Sequence, residues 1–185
     1  MNLDYEYDPI TGHLTLASGQ TEIPKESFHK WKIESVSIPE SVTSIDEKSF
    51  GNNKLTSIVI SDSVESIGAR AFKSNRLTSV VIGDSVTSIG EDAFKWNPLR
   101  NIVFGDSLES VVSGLFAVSY GNDDDSYSRD YKLTDVIFGS SIKRIGESAF
   151  RGNKLTDLTF NDSLETIGDS AFSGNELTNL AFNDS

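Results

Sequence analysis

The hydrophobic positions of this chain recur at a regular interval of about 22 residues, as from Leu55 to Leu77. Each period opens with a leucine or isoleucine and carries an aliphatic residue three positions later and an isoleucine or phenylalanine five positions later. Each complete period reaches a phenylalanine seventeen positions after the first residue. A fixed period in this range indicates a solenoid, in which each repeat buries its apolar face only against its neighbours. The sequence therefore predicts a stack of similar coils around one continuous core.

Two sets of equivalent positions in successive repeats, here called columns, fix the alignment of the repeats. The opening position holds Ile33, Leu55, Leu77, Leu99, Leu133, Leu155 and Leu177. The aromatic position holds Phe28, Phe50, Phe72, Phe94, Phe116, Phe150 and Phe172. All steps are equal except the one from Leu99 to Leu133, which contains an insertion of 12 residues. The predicted repeats are 33–54, 55–76, 77–98, 99–132, 133–154, 155–176 and the partial repeat 177–185, preceded by a degenerate repeat at 11–32.

The repeat at 77–98 illustrates how one coil is predicted to fold. The apolar positions of 77–82 fit a short strand, and 83–85 is a Gly-Asp-Ser turn. Residues 86–89 have apolar ends and predict a second extended segment, followed by a bend at Gly90 and a tight or 3₁₀ turn over 91–94. The fold class is thus a mainly β repeat solenoid. One parallel sheet of short strands lies on one side, and short extended segments or 3₁₀ turns lie on the other.

An asparagine precedes the opening leucine of most repeats. The members of this column are Asn53, Asn75, Asn97, Asn153 and Asn175. Buried backbone groups that no strand reaches need other partners. We therefore expect these amides to bond the backbone of adjacent coils.

Both ends of the chain depart from the repeat. Residues 3–7 alternate apolar and acidic, Asp8-Pro9 opens a turn, and 13–16 resume the alternation. This pattern predicts a hairpin cap over 1–16 that merges into the repeat at 11–32. At the other end, Leu177, Leu180 and Phe182 would form an unsheltered edge. We expect that edge to be covered by further repeats, another domain or another copy.

Segments 36–45 and 145–150 resemble a known repeat family. The first reads Val-Ser-Ile-Pro-Glu-Ser-Val-Thr-Ser-Ile and the second Ile-Gly-Glu-Ser-Ala-Phe. They are similar to the BspA-like, Treponema-type leucine-rich repeat, whose pattern is L-x-x-I-x-I-P-x-S-V-x-x-I-G-x-x-A-F-x-x-C/N. Asparagine replaces the frequent cysteine here, and Gly-Asp or Asn-Asp mostly replaces the proline. The resemblance implies a bacterial surface or secreted protein used in adhesion and protein recognition, and therefore an extracellular or cell-surface location.

Composition narrows the functional classes. The net charge of −12 and pI of about 4.5 argue against binding nucleic acid, whose phosphates require a basic patch. No apolar run approaches the length of a membrane span, so we expect no membrane insertion. The first residues lack a signal-peptide pattern, which predicts either a cytoplasmic protein or a mature or trimmed form. There are no cysteines for disulfides or thiolate metal sites.

The chain contains none of the residue motifs that enzymatic catalysis would require. The only histidines, His13 and His29, lie in the cap region, and the serines recur at turn positions. No zincin, nucleophile-elbow or phosphate-loop spacing is present. We therefore expect a protein that is not an enzyme and that uses no cofactor.

The repeat at 99–132 contains three irregularities. Val112 takes the place of the glycine at Gly68 and Gly90, where we expect a left-handed backbone that β-branched residues resist. Leu115 replaces an alanine, and the insertion follows. The inserted segment carries Tyr120, Tyr127 and Tyr131, residue types favoured in recognition loops, and the acidic residues Asp123 and Asp125. A solvated acidic loop, a recognition loop and a weak calcium site remain open, with no other metal site indicated.

The outward positions of the predicted strands form the second candidate surface. Their central position gives the apolar residues Val59, Val81, Val103 and Ile137. Polar residues flank them, including Arg100, Asn101 and Asp135. An exposed apolar stripe with a polar rim is typical of an interaction surface. The alternative is that β-branched residues simply suit strands.

These observations support two functional hypotheses. The first is a non-catalytic module that recognises a protein or glycan through the strand face, together with the tyrosine-bearing insertion. The second is a structural or assembly module whose uncapped C-terminal end docks on another domain or copy.

Overall fold

The computed structural model describes residues 3–118 and 132–182, which form a solenoid of short β-strands. No helix occurs within these ranges. The longer strands lie on one side of the coils: β1 (Tyr5–Asp8), β2 (His13–Leu16), β4 (Ser35–Ser37), β6 (Ile58–Val59), β8 (Ser79–Val81), β10 (Asn101–Val103), β12 (Asp135–Ile137), β14 (Asp157–Phe160) and β16 (Asn179–Phe182). The second extended segments are two-residue strands: β3 (Glu22–Ile23), β5 (Ser44–Ile45), β7 (Ser66–Ile67), β9 (Ser88–Ile89), β11 (Ser110–Val111), β13 (Arg144–Ile145) and β15 (Thr166–Ile167).

Parallel pairing joins equivalent strands of successive coils. On the first side the order is β1-β2-β4, then β6-β8-β10-β12, then β14-β16. On the second side it is β3-β5-β7-β9 and β11-β13-β15. Among the strands of residues 3–118 and 132–182, only β1 runs against its neighbour, β2, in an antiparallel hairpin. The predicted mainly β solenoid, with a parallel sheet on one side and extended segments on the other, is confirmed.

The register follows the sequence period. Val80 pairs with Ile102 of the next repeat, and Ile102 pairs with Val136 of the repeat that follows the insertion. The strand register on the two sides of the insertion therefore follows the same columns as in the regular repeats. Each sequence column becomes a physical column of side chains along the solenoid.

The aromatic column forms the centre of the core. Its rings stack nearly parallel, with 5.4 Å between the centroids of Phe72 and Phe94 and 5.5 Å between those of Phe116 and Phe150. The widest step in this stack, 6.4 Å, separates Phe94 from Phe116, at the irregular repeat. Burying such side chains supplies roughly 1.5–3 kcal/mol each. Because no single coil can cover its own ring, this contribution depends on stacking.

The asparagine column joins adjacent coils, as predicted. The side-chain oxygen of Asn75 accepts the Leu55 N–H at 3.0 Å. Its amide nitrogen donates to the carbonyl oxygens of Phe50 at 2.9 Å and Phe72 at 3.0 Å. The same bonding pattern occurs at the other four members, Asn53, Asn97, Asn153 and Asn175.

The glycines that recur at the bends are required because the neighbouring backbone leaves no room for a Cβ. They are not required by a positive φ at these positions. Gly90 does not have a positive φ, whereas Asp92, two residues later, has φ 57°. A Cβ added to Gly90 would lie 2.4 Å from the backbone nitrogen of Ala69 in the preceding coil. The prediction of a left-handed backbone at this position is therefore wrong. Val112 occupies the aligned site without a positive φ, so its β-branch meets no such restriction.

The two ends of the solenoid differ in how they cover the core. At the N-terminal end, Tyr5 and Trp31 pack edge-on against Phe28, with centroid distances of 5.4 Å each. At the other end, Leu180 and Phe182 are 53% and 61% exposed. Their counterparts one coil earlier are almost fully buried.

Candidate functional site

Four aliphatic side chains form one continuous row on the exposed face of the central sheet. Val59 pairs with Val81, Val81 with Val103, and Val103 with Ile137, so the four residues lie in register across β6, β8, β10 and β12. Val59, Val81 and Ile137 are 72%, 45% and 61% exposed, and Val103 is partly buried. We call these four residues the apolar row. Strand spacing of about 4.8 Å makes it roughly 14 Å long.

Alternation along each strand explains why these side chains face outward. In β10, Ile102 is buried while its neighbours Asn101 and Val103 point the other way. In β12, Val136 is buried between Asp135 and Ile137 in the same manner. Packing in the core fixes which side chains of each strand point inward. Because successive side chains alternate between the two faces, it also fixes which side chains point outward.

Polar side chains border the apolar row on its N-terminal side. Asn101 pairs in register with Asp135, and its amide nitrogen, once the amide is oriented to satisfy its neighbours, lies 2.9 Å from a carboxylate oxygen of Asp135. The hydroxyl of Thr134 donates to that same oxygen at 2.6 Å. Arg100 is exposed beside them. The predicted residues Asn101 and Asp135 thus contact each other beside the row, and the Arg100 carbonyl oxygen accepts the Thr134 hydroxyl at 3.3 Å next to them.

Aspartates border the row three residues beyond it. The Asp84 N–H donates to Asp62 at 2.9 Å, and the Ser140 N–H donates to Asp106 at 2.7 Å. The latter bond holds the pKa of Asp106 below its ordinary value. These carboxylates accept amide protons from the next coil, so they place acidic side chains along this border of the row.

A cleft lies beside the irregular repeat 99–132. Its volume is about 680 Å³, and its walls include Phe94, Trp96, Leu99 and Phe116. Trp96 is 59% exposed, and the ammonium of Lys73 lies 4.2 Å from the centroid of its ring. This contact is a cation–π pair that holds the indole at the surface.

The model of the BspA type leucine rich repeat region matches this sequence in six copies, over residues 7–121 and 123–185. The chain belongs to this family. The assignment agrees with the repeat spacing of about 22 residues and with the stacked strands described above. A search of curated proteins found no match to this BspA-type chain.

Solved structures resemble this BspA-type chain at low sequence identity. A leucine-rich repeat protein from Bacteroides ovatus is 18% identical with a TM-score of 0.50, and the match covers 92% of this chain and 60% of that one. A leucine rich cell surface protein from Faecalibacterium prausnitzii is 23% identical with a TM-score of 0.48, covering 92% and 59%. The pneumococcal vaccine antigen PcpA is 18% identical with a TM-score of 0.41, covering 97% and 65%. The Bacteroides ovatus match supports the fold alone, and this chain spans about three fifths of the first two proteins.

Tyr120, Tyr127, Tyr131, Asp123 and Asp125 lie outside the described residues. Within residues 3–118 and 132–182, no group of three or more acidic or histidine side chains is placed to hold a metal ion. The same ranges contain no helix with the length and apolarity to cross a membrane.

Sequence reasoning missed the surface around His29, Gly51 and Lys73. These residues occupy equivalent positions of successive repeats but share no chemistry, so no column stood out. The signal that could have found them is the glycine itself, because it alone lacks a side chain among the described members of this column.

Proposed function

We propose that this BspA-type chain is a recognition module that binds a protein through the apolar row. The observation that carries the proposal is the in-register alignment of Val59, Val81, Val103 and Ile137 across four adjacent strands. Isolated exposed aliphatic residues are ordinary, but a contiguous row with a polar border is typical of an interaction surface.

The chemistry of the row favours a protein ligand over a glycan. Aliphatic side chains gain free energy by removing apolar surface from water, whereas sugar hydroxyls need hydrogen-bond partners. The polar residues Arg100, Asn101 and Asp135 would supply orientation at the rim. An apolar centre with a polar rim is the usual anatomy of a protein interface.

The proposal includes an extracellular location, which rests on membership of the family. Antibody labelling of intact cells of the source organism, compared with permeabilised cells, tests this part. Labelling only after permeabilisation would contradict it.

Charged substitutions within the row test the binding surface. The double variant Val81→Lys with Val103→Lys introduces two ammonium groups where apolar contact is proposed. The matched control is Ser88→Lys with Thr166→Lys, which adds the same charge at exposed positions of the second strand set. The measurement is binding to arrays of extracellular proteins and glycans. We expect binding to weaken at least about tenfold in the row variant only, since each desolvated charge costs more than about 1 kcal/mol.

Equal binding by the row variant and the wild-type chain would reject the proposed surface. Loss of binding in both variants would also reject it, because the effect would then follow net charge. A ligand found only on the glycan array would replace the protein with a glycan as the partner.

The exposed end face supports assembly as a second candidate function. Leu180, Phe182 and Ile167 are exposed there at positions that the core buries in earlier coils. Another copy, another domain or further repeats would cover this face. We expect Phe182→Asp to abolish concentration-dependent association in sedimentation velocity, while the row variant associates normally. A wild-type chain that stays monomeric at all concentrations would reject self-assembly.

A further inference from the structure

A small cleft with cationic walls crosses three consecutive coils. Its volume is about 330 Å³, and its charged lining consists of Lys30, Lys48, Arg70 and Lys73, together with His29. No carboxylate lines it among the described residues. The chain has 28 acidic and only 16 basic residues, so this concentration of positive charge runs against the composition.

Gly51 is the reason that the cleft exists. The equivalent positions in the preceding and following coils carry His29 and Lys73. A Cβ at Gly51 would lie 3.0 Å from His29 Nδ1 and 3.4 Å from the carbonyl oxygen of Arg70. Gly51 has no positive φ, so the backbone does not require glycine. The missing side chain leaves a space between two cationic walls that are two strand spacings, or about 10 Å, apart.

Two polar atoms at this cleft have no hydrogen-bond partner. His29 Nδ1 and Arg70 Nε are both buried and unpaired. The nearest carboxylate to Arg70 Nε is that of Asp92, at 3.8 Å, which is too far for a hydrogen bond. Buried polar atoms are nearly always bonded in folded proteins, so unpaired ones at a cleft indicate a missing partner.

Ion pairs hold two of the lysines in place, and the carboxylates of these pairs lie outside the cleft lining. Lys48 pairs with Glu26 at 3.0 Å, and Lys73 pairs with Asp92 at 2.9 Å. Lys30 makes no ion pair within the described part of the chain. The paired carboxylates do not line the cleft, so a group bound within it would face cations and nitrogen atoms.

We propose that this cleft binds one tetrahedral oxyanion, the sulfate or phosphate monoester of a larger ligand. An oxyanion of this kind offers several strong acceptors. Lys30 is a cationic donor on one wall, and Arg70 and Lys73 are cationic donors on the other. The site is separate from the apolar row and does not depend on the function proposed for that row. The acidic surface elsewhere on the chain favours a single anionic group over a long polyanion.

Nuclear magnetic resonance titrations at constant ionic strength test the site. The probes are inorganic sulfate, glucose 6-sulfate and glucose 6-phosphate. The readouts are the Gly51 backbone amide and the Arg70 Nε–H. We expect saturable shifts at both groups. Binding by only one sugar ester would support the site and identify the ester as sulfate or phosphate.

Two matched variants separate specific binding from general charge attraction. Lys30→Gln removes a cleft cation without leaving a carboxylate unpaired, and we expect at least about fivefold weaker binding. Lys54→Gln removes a cation outside the cleft, whose ammonium pairs with Glu34, and we expect binding within about twofold of wild type. Gly51→Ser fills the cleft without changing charge and should weaken binding as well.

Three results would overturn the proposal. The first is the absence of saturable shifts with any probe. The second is shifts of similar size at other basic residues, such as Lys143 and Arg144, which would indicate ion screening only. The third is wild-type affinity in a folded Lys30→Gln variant.

Discussion

Each buried asparagine joins three backbone groups of neighbouring coils through one side chain. Asn75 accepts one N–H and donates to two carbonyl oxygens, so its amide satisfies groups on both sides. A carboxylate has the same shape but no donors. The column therefore requires an amide, and not merely a polar residue of this size.

Asn75→Asp tests this requirement. The variant would lose both donors and place a carboxylate against the carbonyl oxygens of Phe50 and Phe72. We expect the free energy of unfolding to fall by roughly 3 kcal/mol or more, measured by urea denaturation. Asn179→Asp, at an exposed position of β16, is the control and should change stability by no more than about 0.5 kcal/mol. Equal effects of the two changes would contradict the structural role of the asparagine column.

Asp92 makes a pH-dependent contribution to the free energy of unfolding. Burial alone would raise the pKa of Asp92, but hydrogen bonds and charges from Lys73 and Lys95 outweigh it and lower the pKa below 3.8. A carboxyl whose pKa is lower in the folded state stabilises the fold at higher pH. This contribution is lost as the pH falls through the folded-state pKa.

The variant Asp92→Asn should therefore have a pH-dependent cost. We expect it to lose roughly 1 kcal/mol of stability near neutral pH. The difference from wild type should begin to shrink near about pH 4, where the carboxyl of the unfolded chain takes up its proton, and should disappear as the pH falls through the lower folded-state pKa. Asparagine tolerates the positive φ of this position, so the backbone adds little. Denaturation curves of wild type and variant, recorded near neutral pH and below about pH 4, would measure this difference in stability. A difference that does not change with pH would contradict the prediction.

At the scale of the coil, close backbone approach determines which residues can occupy the bends. The Cβ positions of Gly68, Gly90 and Gly146 would each lie within 2.6 Å of backbone nitrogen in the preceding coil. Real Cβ atoms do not approach backbone this closely, so glycine at these bends reflects coil spacing.

Gly90→Ala tests this explanation against Val112→Ala at the aligned position. The first change adds a Cβ where the neighbouring backbone leaves no room, and we expect a loss of roughly 2 kcal/mol or more. The second keeps a Cβ and removes two methyl groups of a half-buried side chain, so about 1 kcal/mol is expected. Thermal or chemical denaturation of both variants measures the contrast. If Gly90→Ala were the milder change, coil spacing would not explain the glycine.

The sequence period was sufficient to predict the coils but not their contacts. Spacing places Phe72, Asn75 and Leu77 in defined columns, and their roles follow from burial and hydrogen bonding. Spacing does not reveal how closely two backbones approach at Gly90, nor which turn residue adopts a positive φ. It also hides a site such as the cleft at Gly51, which depends on three different residues in adjacent coils. The proposed roles of the inserted tyrosines remain predictions.

Across the whole molecule, the core is protected unevenly. Strand β10 pairs on both sides, and Ile102 within it is buried. Among the described strands, β16 pairs only with β14, and its Leu180 is half exposed. At the N-terminal end, the hairpin and its aromatic contacts cover the first coil. Local stability should therefore decrease toward β16.

Native-state hydrogen exchange measures this gradient. We expect the Ile102 amide to exchange at least about tenfold more slowly than the Leu180 amide, because opening β16 breaks contacts with one neighbour only. The Leu14 amide in the capped coil is the control and should resemble Ile102. Similar exchange at all three sites would mean that the solenoid opens as a single unit.

The parallel pairing also determines how the molecule responds to force. Hydrogen bonds between coils run along the solenoid axis, so tension applied to the two ends peels one coil from the next and does not shear a whole sheet at once. Each regular coil released adds about 22 residues, or roughly 75 Å of extended chain. The solenoid would then act as an extensible tether that lengthens in small steps at low force, with β16 detaching first and the capped end last.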